Sequence, residues 1–160
     1  RIRMKASIGP WRGTSTWDVS TGDPIIPEPC IVSIDRVLGE PLQLLGYAAE
    51  TTIAEKAITI LERGITSTRW RDYVDIVQLC HQGFDPHKLR RSAEAVARYR
   101  GVTLEPVSPH LKGHGAIEQA KWAAWRRKER LEEICEAQLD DQVTFVARFI
   151  DPVFASTPSD

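Results

Sequence analysis

Cysteine is scarce and scattered in this chain. Cys30, Cys80 and Cys135 include no Cys-x-x-Cys pair, and an odd count makes a poor disulfide framework. A reducing cytoplasm is therefore the expected compartment. No run approaches the roughly 18 apolar residues of a membrane span, and no basic segment followed by an apolar run opens the chain as a secretory signal would. Net charge is nearly absent: 21 Lys and Arg against 22 Asp and Glu leave −1, so any nucleic-acid site must be a local patch. Gly113 and Gly115 make no phosphate loop, because neither a preceding strand nor a trailing Lys-Ser/Thr accompanies them. No Ser-His-Asp or Cys-His pattern has a recognisable signature. Only His110 and His114 have His-x-x-x-His spacing, and they fall in a Pro/Gly segment that reads as a loop with solvent histidines.

What is present is a β-to-α order. The 160 residues, 42% hydrophobic, suffice for the core of one globular domain or two small layers. RIRMKASIG alternates Ile2, Met4, Ala6 and Ile8 with Arg1, Arg3, Lys5 and Ser7, the period-two pattern of a half-buried strand with one basic face. PWRG reads as a turn, and TSTWDVS as the second strand of a hairpin, with Trp17 and Val19 opposite Thr16, Asp18 and Ser20. CIVSI and PLQLLGYA supply two further short extended segments after a proline-punctuated stretch. Because the chain opens on Arg1 in what already reads as a strand, residues upstream are expected.

Composition turns helical near residue 49. Thr52 and Glu55 have capping-box spacing, which predicts a first helix starting at Thr51 or Thr52 and stopping at Gly64. A second is predicted over residues 68–82 and a third from Pro86 to before Gly101. Two more are predicted over 116–137, with a break near Leu131, and over 139–154. The fold class is α+β: β structure over residues 1–48, a helical part over 49–155, and a disordered tail over 156–160.

Within ETTIAEKAITILERGITSTRWRDYVDIVQLC, Ile53, Ala57, Ile60 and Leu61 form one apolar stripe, while Lys56 and Arg63 share a line at its border. On the next helix Tyr73, Ile76, Val77 and Cys80 form the buried side; Asp72 and Asp75 share a face, and Asp75 can pair with Arg71 at i,i+4. Spacing alone also allows an ordinary arrangement, a snorkelling lysine and surface ion pairs.

ETTIAEKAITILERG followed by TRWRDYVDIVQL resembles the carboxy-terminal motifs of the AbiEii/AbiGii nucleotidyltransferase toxins, and WDVSTGDPIIPEP is similar to that family's Asp-Val-x-x-Gly-Asp strand. The resemblance implies a nucleotidyltransferase fold of the DNA polymerase β type. It implies transfer of a nucleotide from an NTP to an RNA acceptor such as a tRNA 3′ end, with Mg²⁺ or Mn²⁺, in a toxin–antitoxin or phage-defence pair with a cognate antitoxin. It also implies catalytic roles for Lys56 and Asp72, nucleotide binding by Arg63 with Lys56, a supporting role for Asp75 and a metal-site role for Asp18, which reads equally as an ordinary strand-edge aspartate. Asp72 could hold the lysine, position the acceptor hydroxyl or act as base. Asp23 reads more simply as a turn residue.

The family's Gly-Ser helix and Asp-x-Asp strand do not occur here. A second reading follows: a truncated, non-catalytic relative that binds an antitoxin or RNA. In KWAAWRRKERLEE, Trp122 and Trp125 are expected to pack inward, and Arg126, Arg127, Lys128 and Arg130 form a candidate RNA-binding patch beside the HKLRR run of residues 87–91. Glu129, Glu132 and Glu133 balance it, so an ordinary solvated helix is the alternative.

Overall fold

The period-two alternation of the first eight residues folds as expected into strand β1 (Ile2–Ile8), which pairs antiparallel with β2 (Trp11–Trp17) from Ile2 opposite Trp17 to Ile8 opposite Trp11. The computed structural model describes residues 1–19 and 22–155. Ser20 and the expected disordered tail at 156–160 lie outside them. The turn is only Gly9-Pro10, and Trp11 and Arg12, expected in the turn, belong to the strand. Gly9 takes φ 57°, which a primed two-residue hairpin turn needs at its first central position and which glycine adopts without steric cost.

A second hairpin pairs β3 (Cys30–Ile34) with β4 (Leu42–Gly46), and the two hairpins form separate two-stranded sheets. Neither face of β1 or β2 is buried: Ile2, Met4, Ile8, Trp11 and Trp17 are all exposed. The half-buried strand expected from alternation is thus corrected, because the helices bury their apolar faces against one another rather than against the hairpin.

The core is helical. The elements are α1 (Ala49–Arg63), α2 (Trp70–His81), α3 (Pro86–Arg100), α4 (His114–Glu129) and α5 (Leu139–Ala155). Helix α1 is the central element, with Ile53, Ala54, Ala57 and Ile58 wholly buried among α2 and α3, and α5 closes the core with Val146 and Ile150. The capping box does not form. Ala48 precedes α1 with no side-chain cap, and the buried Thr51 instead donates its Oγ1 to the Ile26 carbonyl 2.8 Å away in the extended segment. Asp85 caps α3, accepting from the His87 and Lys88 amides, with Pro86 at the first helical position.

Helix α4 stops at Glu129, several residues before its expected end, with Arg130 at φ 57°. The cause is visible in the chain that follows. Arg126 Nη2 donates to the Glu132 and Cys135 carbonyls at 2.9 and 3.0 Å, and Trp122 Nε1 donates to the Glu136 carbonyl at 3.1 Å, so residues 131–137 fold back along the helix. Trp122 and Trp125 do pack inward, stacked at 5.3 Å, with Trp70 beside Trp125.

Candidate active site

Helices α1 and α2 run together at the 3-10 turn Gly64–Thr66, which brings the middle of α1 against the first turn of α2. Lys56 Nζ lies 2.7 Å from Asp72 Oδ1 and 2.9 Å from Asp75 Oδ2, so the aspartates three apart on one face of α2 both reach it. On the other side of Asp72, Arg69 Nε donates to Oδ2 at 2.6 Å, and Arg71 Nε donates to Asp75 at 2.8 Å. The site is layered by exposure. The Asp72 side chain is 4% exposed and that of Lys56 19%, whereas Arg69 and Arg71 are more than half exposed.

This burial gives the cluster its electrostatics. Desolvation opposes the charge on Lys56, but hydrogen bonds to Asp72 and Asp75 outweigh it and hold the ammonium above the ordinary lysine range. Desolvation likewise opposes ionisation of Asp72, and the bonds from Arg69 and Lys56 outweigh it, so the carboxyl sits below its usual value. Lys56 is thus a fixed cation and Asp72 a fixed anion. An ammonium has three donors. Two are used, and among the described residues no acceptor takes the third.

A second ionic centre adjoins the first across α1. Arg100, from the end of α3, forks Asp23 at 2.8 and 2.5 Å and donates to Thr59 Oγ1 at 2.9 Å. With the Thr51 bond to Ile26, it pins residues 23–26 along the face of α1 that carries Glu55. Burial, then Asp23, raises the Glu55 carboxyl above its usual value against the pull of Arg100 and Lys56.

The remaining sequence candidates are distributed as follows. Arg63 ends α1, exposed and without an ion pair among the described residues. Asp18 is exposed just after β2 and is gripped by Arg1 at 2.7 and 3.0 Å, not by any residue of the α1–α2 cluster. Asp23, expected as a turn residue, is the acceptor of the Arg100 fork. Of the α4 patch, Arg127, Lys128 and Arg130 are exposed, but Arg126 is buried and spends its guanidinium on backbone carbonyls. Its placement on an RNA-facing surface is corrected for that reason.

His114 is also corrected: it starts α4 fully buried, its ring against Tyr73 at 5.7 Å between centroids, rather than facing solvent from a loop. Sequence reading missed Arg69 and Arg100. The signal for Arg69 was its i,i+3 spacing to Asp72 at a helix start, whereas nothing local marks Arg100, whose partner is 77 residues away.

No helix of the described residues is long and apolar enough to cross a membrane. A family model described as the nucleotidyl transferase AbiEii toxin of type IV toxin–antitoxin systems matches residues 1–134. No curated protein and no solved structure matches the chain.

Proposed function

Because the chain belongs to the AbiEii nucleotidyl transferase toxin family, we propose that it takes part in transferring a nucleotide from an NTP to an RNA acceptor such as a tRNA 3′ end, in the cytoplasm and under the control of a cognate antitoxin. In that reaction the acceptor hydroxyl oxygen bonds to the α-phosphorus, the bond to the β-phosphate oxygen breaks, pyrophosphate leaves and the hydroxyl proton is released.

The observation that carries the proposal is the charge-fixed Lys56 with a free third donor, joined through Asp72 to the half-exposed Arg69. Preorganised cations stabilise negative charge that develops on a phosphate without reorganising at the moment of reaction. Of the roles open to Asp72, holding Lys56 and Arg69 has the support of its two ion pairs, which lower its carboxyl below the usual value and so weaken it as a proton acceptor. Asp75 shares the task from the rim.

The described residues do not fit a Mg²⁺ or Mn²⁺ centre by themselves. Among them no group of three or more His, Cys, Asp or Glu is arranged to hold a metal. Asp18, Asp23, Asp72 and Asp75 each carry a protein cation instead. This chain's own contribution is therefore positive charge. The same saturation favours the second reading, a non-catalytic antitoxin- or RNA-binding module.

Incubation with tRNA and NTP labelled at either the α- or the γ-phosphate separates the two. Nucleotidyl transfer leaves the α label in RNA and releases labelled pyrophosphate from the γ-labelled substrate. RNA binding with neither product would establish the module and overturn the enzyme.

A further inference from the structure

Helix α3 carries six basic or imidazole side chains, and the fold uses only two of them internally. Arg90 donates to Glu94 and to the Val153 and Phe154 carbonyls, and Arg100 holds Asp23 and Thr59. His87, Lys88, Arg91 and Arg98 are exposed. Of these, Arg91 and Arg98 make no ion pair among the described residues, and the one carboxylate of the helix, Glu94, is part-exposed and held by Arg90 at 2.6 Å. The stripe from Lys88 to Arg98 spans ten residues, about 15 Å of helix.

At its end Tyr99 presents a ring 60% exposed. Its hydroxyl lies against Gly22, where any Cβ would come within 3.0 Å of it. Tyr99 thus adjoins the segment that Arg100 pins beside Glu55.

We infer that the outer face of α3, Lys88, Arg91 and Arg98 ending at Tyr99, is the track for the acceptor strand: a single-stranded RNA whose phosphates follow the cations and one of whose bases stacks on the tyrosine. Unpaired cations in a row whose one neighbouring carboxylate, Glu94, is neutralised by Arg90 complement a phosphodiester backbone and release its counterions on contact. An exposed ring at the end of the row needs an unstacked base, which a single strand offers and a duplex does not. Helix α4 is the weaker rival, since Arg126 is buried and Lys128 lies 3.8 Å from Glu129. The choice of RNA rests on the acceptor proposed above; the location of the track rests on the geometry of α3.

The test is fluorescence anisotropy with a labelled 20-nucleotide single-stranded RNA, the same sequence as DNA and a hairpin RNA, each across a salt series. The triple variant Lys88→Gln/Arg91→Gln/Arg98→Gln alters only exposed side chains and should keep the native circular dichroism. It is expected to lower the slope of log affinity against log salt by about 2, at ~0.7 per lost phosphate contact. Tyr99→Ala should weaken single-strand binding at least about fivefold without changing the slope. Arg127→Gln/Lys128→Gln should leave both unchanged.

An unchanged slope in the triple variant, or no RNA binding by the unaltered protein, overturns the track. Tighter binding of the DNA or of the hairpin than of the single-stranded RNA overturns the assignment of its occupant. Because this readout is binding, loss of slope in a protein that transfers no nucleotide would sink the enzymatic reading while leaving the track intact.

Discussion

Replacing Asp72 by asparagine removes one charge from the centre of the α1–α2 cluster and almost no volume. The native carboxylate accepts from Lys56 at 2.7 Å and from Arg69 at 2.6 Å on a side chain only 4% exposed. An asparagine oxygen can keep one of these bonds as a neutral acceptor, but its amide would then face the other cation with a donor. Hydrogen bonds to charged groups contribute about 1.5–3 kcal/mol each. One bond is lost and one weakened, while Lys56 keeps Asp75 and the half-exposed Arg69 rehydrates, so the cost at pH 7 is about 2–3 kcal/mol.

The sign with pH is set by the lowered Asp72 pKa. Its stabilisation is present above the unfolded aspartate value near ~4 and is lost as pH falls through the folded value, where the protonated carboxyl resembles an amide. Urea denaturation followed by circular dichroism at pH 7 and at progressively lower pH should show the gap between wild type and Asp72→Asn closing in acid. A gap below about 0.5 kcal/mol at pH 7, the level of a surface pair, or one that persists in acid, would refute the reasoning.

Three further outcomes follow from burial and backbone geometry. In the native protein a thiol reagent at pH 8 should titrate only the exposed Cys30, because burial pushes the Cys80 thiol up to about 12 and raises that of the buried Cys135; denaturant should release all three thiols. Arg130→Gly should stabilise the fold by roughly 0.5–1 kcal/mol in the same urea assay, since Arg130 caps α4 at φ 57°, where glycine has no Cβ to strain. His114 should titrate below the usual histidine value in an NMR pH series, because burial disfavours its imidazolium. The stability tied to its neutral form is present above about 6.5 and is lost as pH falls through the lower folded value.

The helical part of the fold was legible where a local period decides structure. Pro86 and Gly101 bracket α3, Gly64 ends α1, and the apolar spacing of α2 places Tyr73, Ile76, Val77 and Cys80 in the core. The alternation in β1 gave the strand and its hairpin but not its exposure, because period-two patterning states which residues share a face and not what covers that face.

In the site, the shared face of Asp72 and Asp75 and the pairing of Asp75 with Arg71 could be read from the spacing of one helix, whereas the contact of Lys56 with Asp72 was implied only by the family resemblance and its contact with Asp75 by neither. Arg100, Arg126 and His114 could not be placed this way. Arg100 finds Asp23 only through the packing of α3 on α1. Arg126 turns inward because the chain after α4 offers it two carbonyls, and His114 is buried because α4 starts two residues before its expected first turn. In each case the deciding partner comes from tertiary packing, which the periodicity of a single helix does not contain.

The most direct test of the central claim, that Lys56 is a fixed phosphate-facing cation in nucleotidyl transfer, is the rate at which α-labelled NTP labels tRNA in the presence of wild type and of Lys56→Ala. Circular dichroism would verify that both are folded. Removing one preorganised charge from such a site typically costs ~10²–10³ in rate, and a loss of that size in the variant is the expected result. Equal rates in the two proteins would contradict the role of Lys56, and no labelling by either would contradict catalysis by this chain.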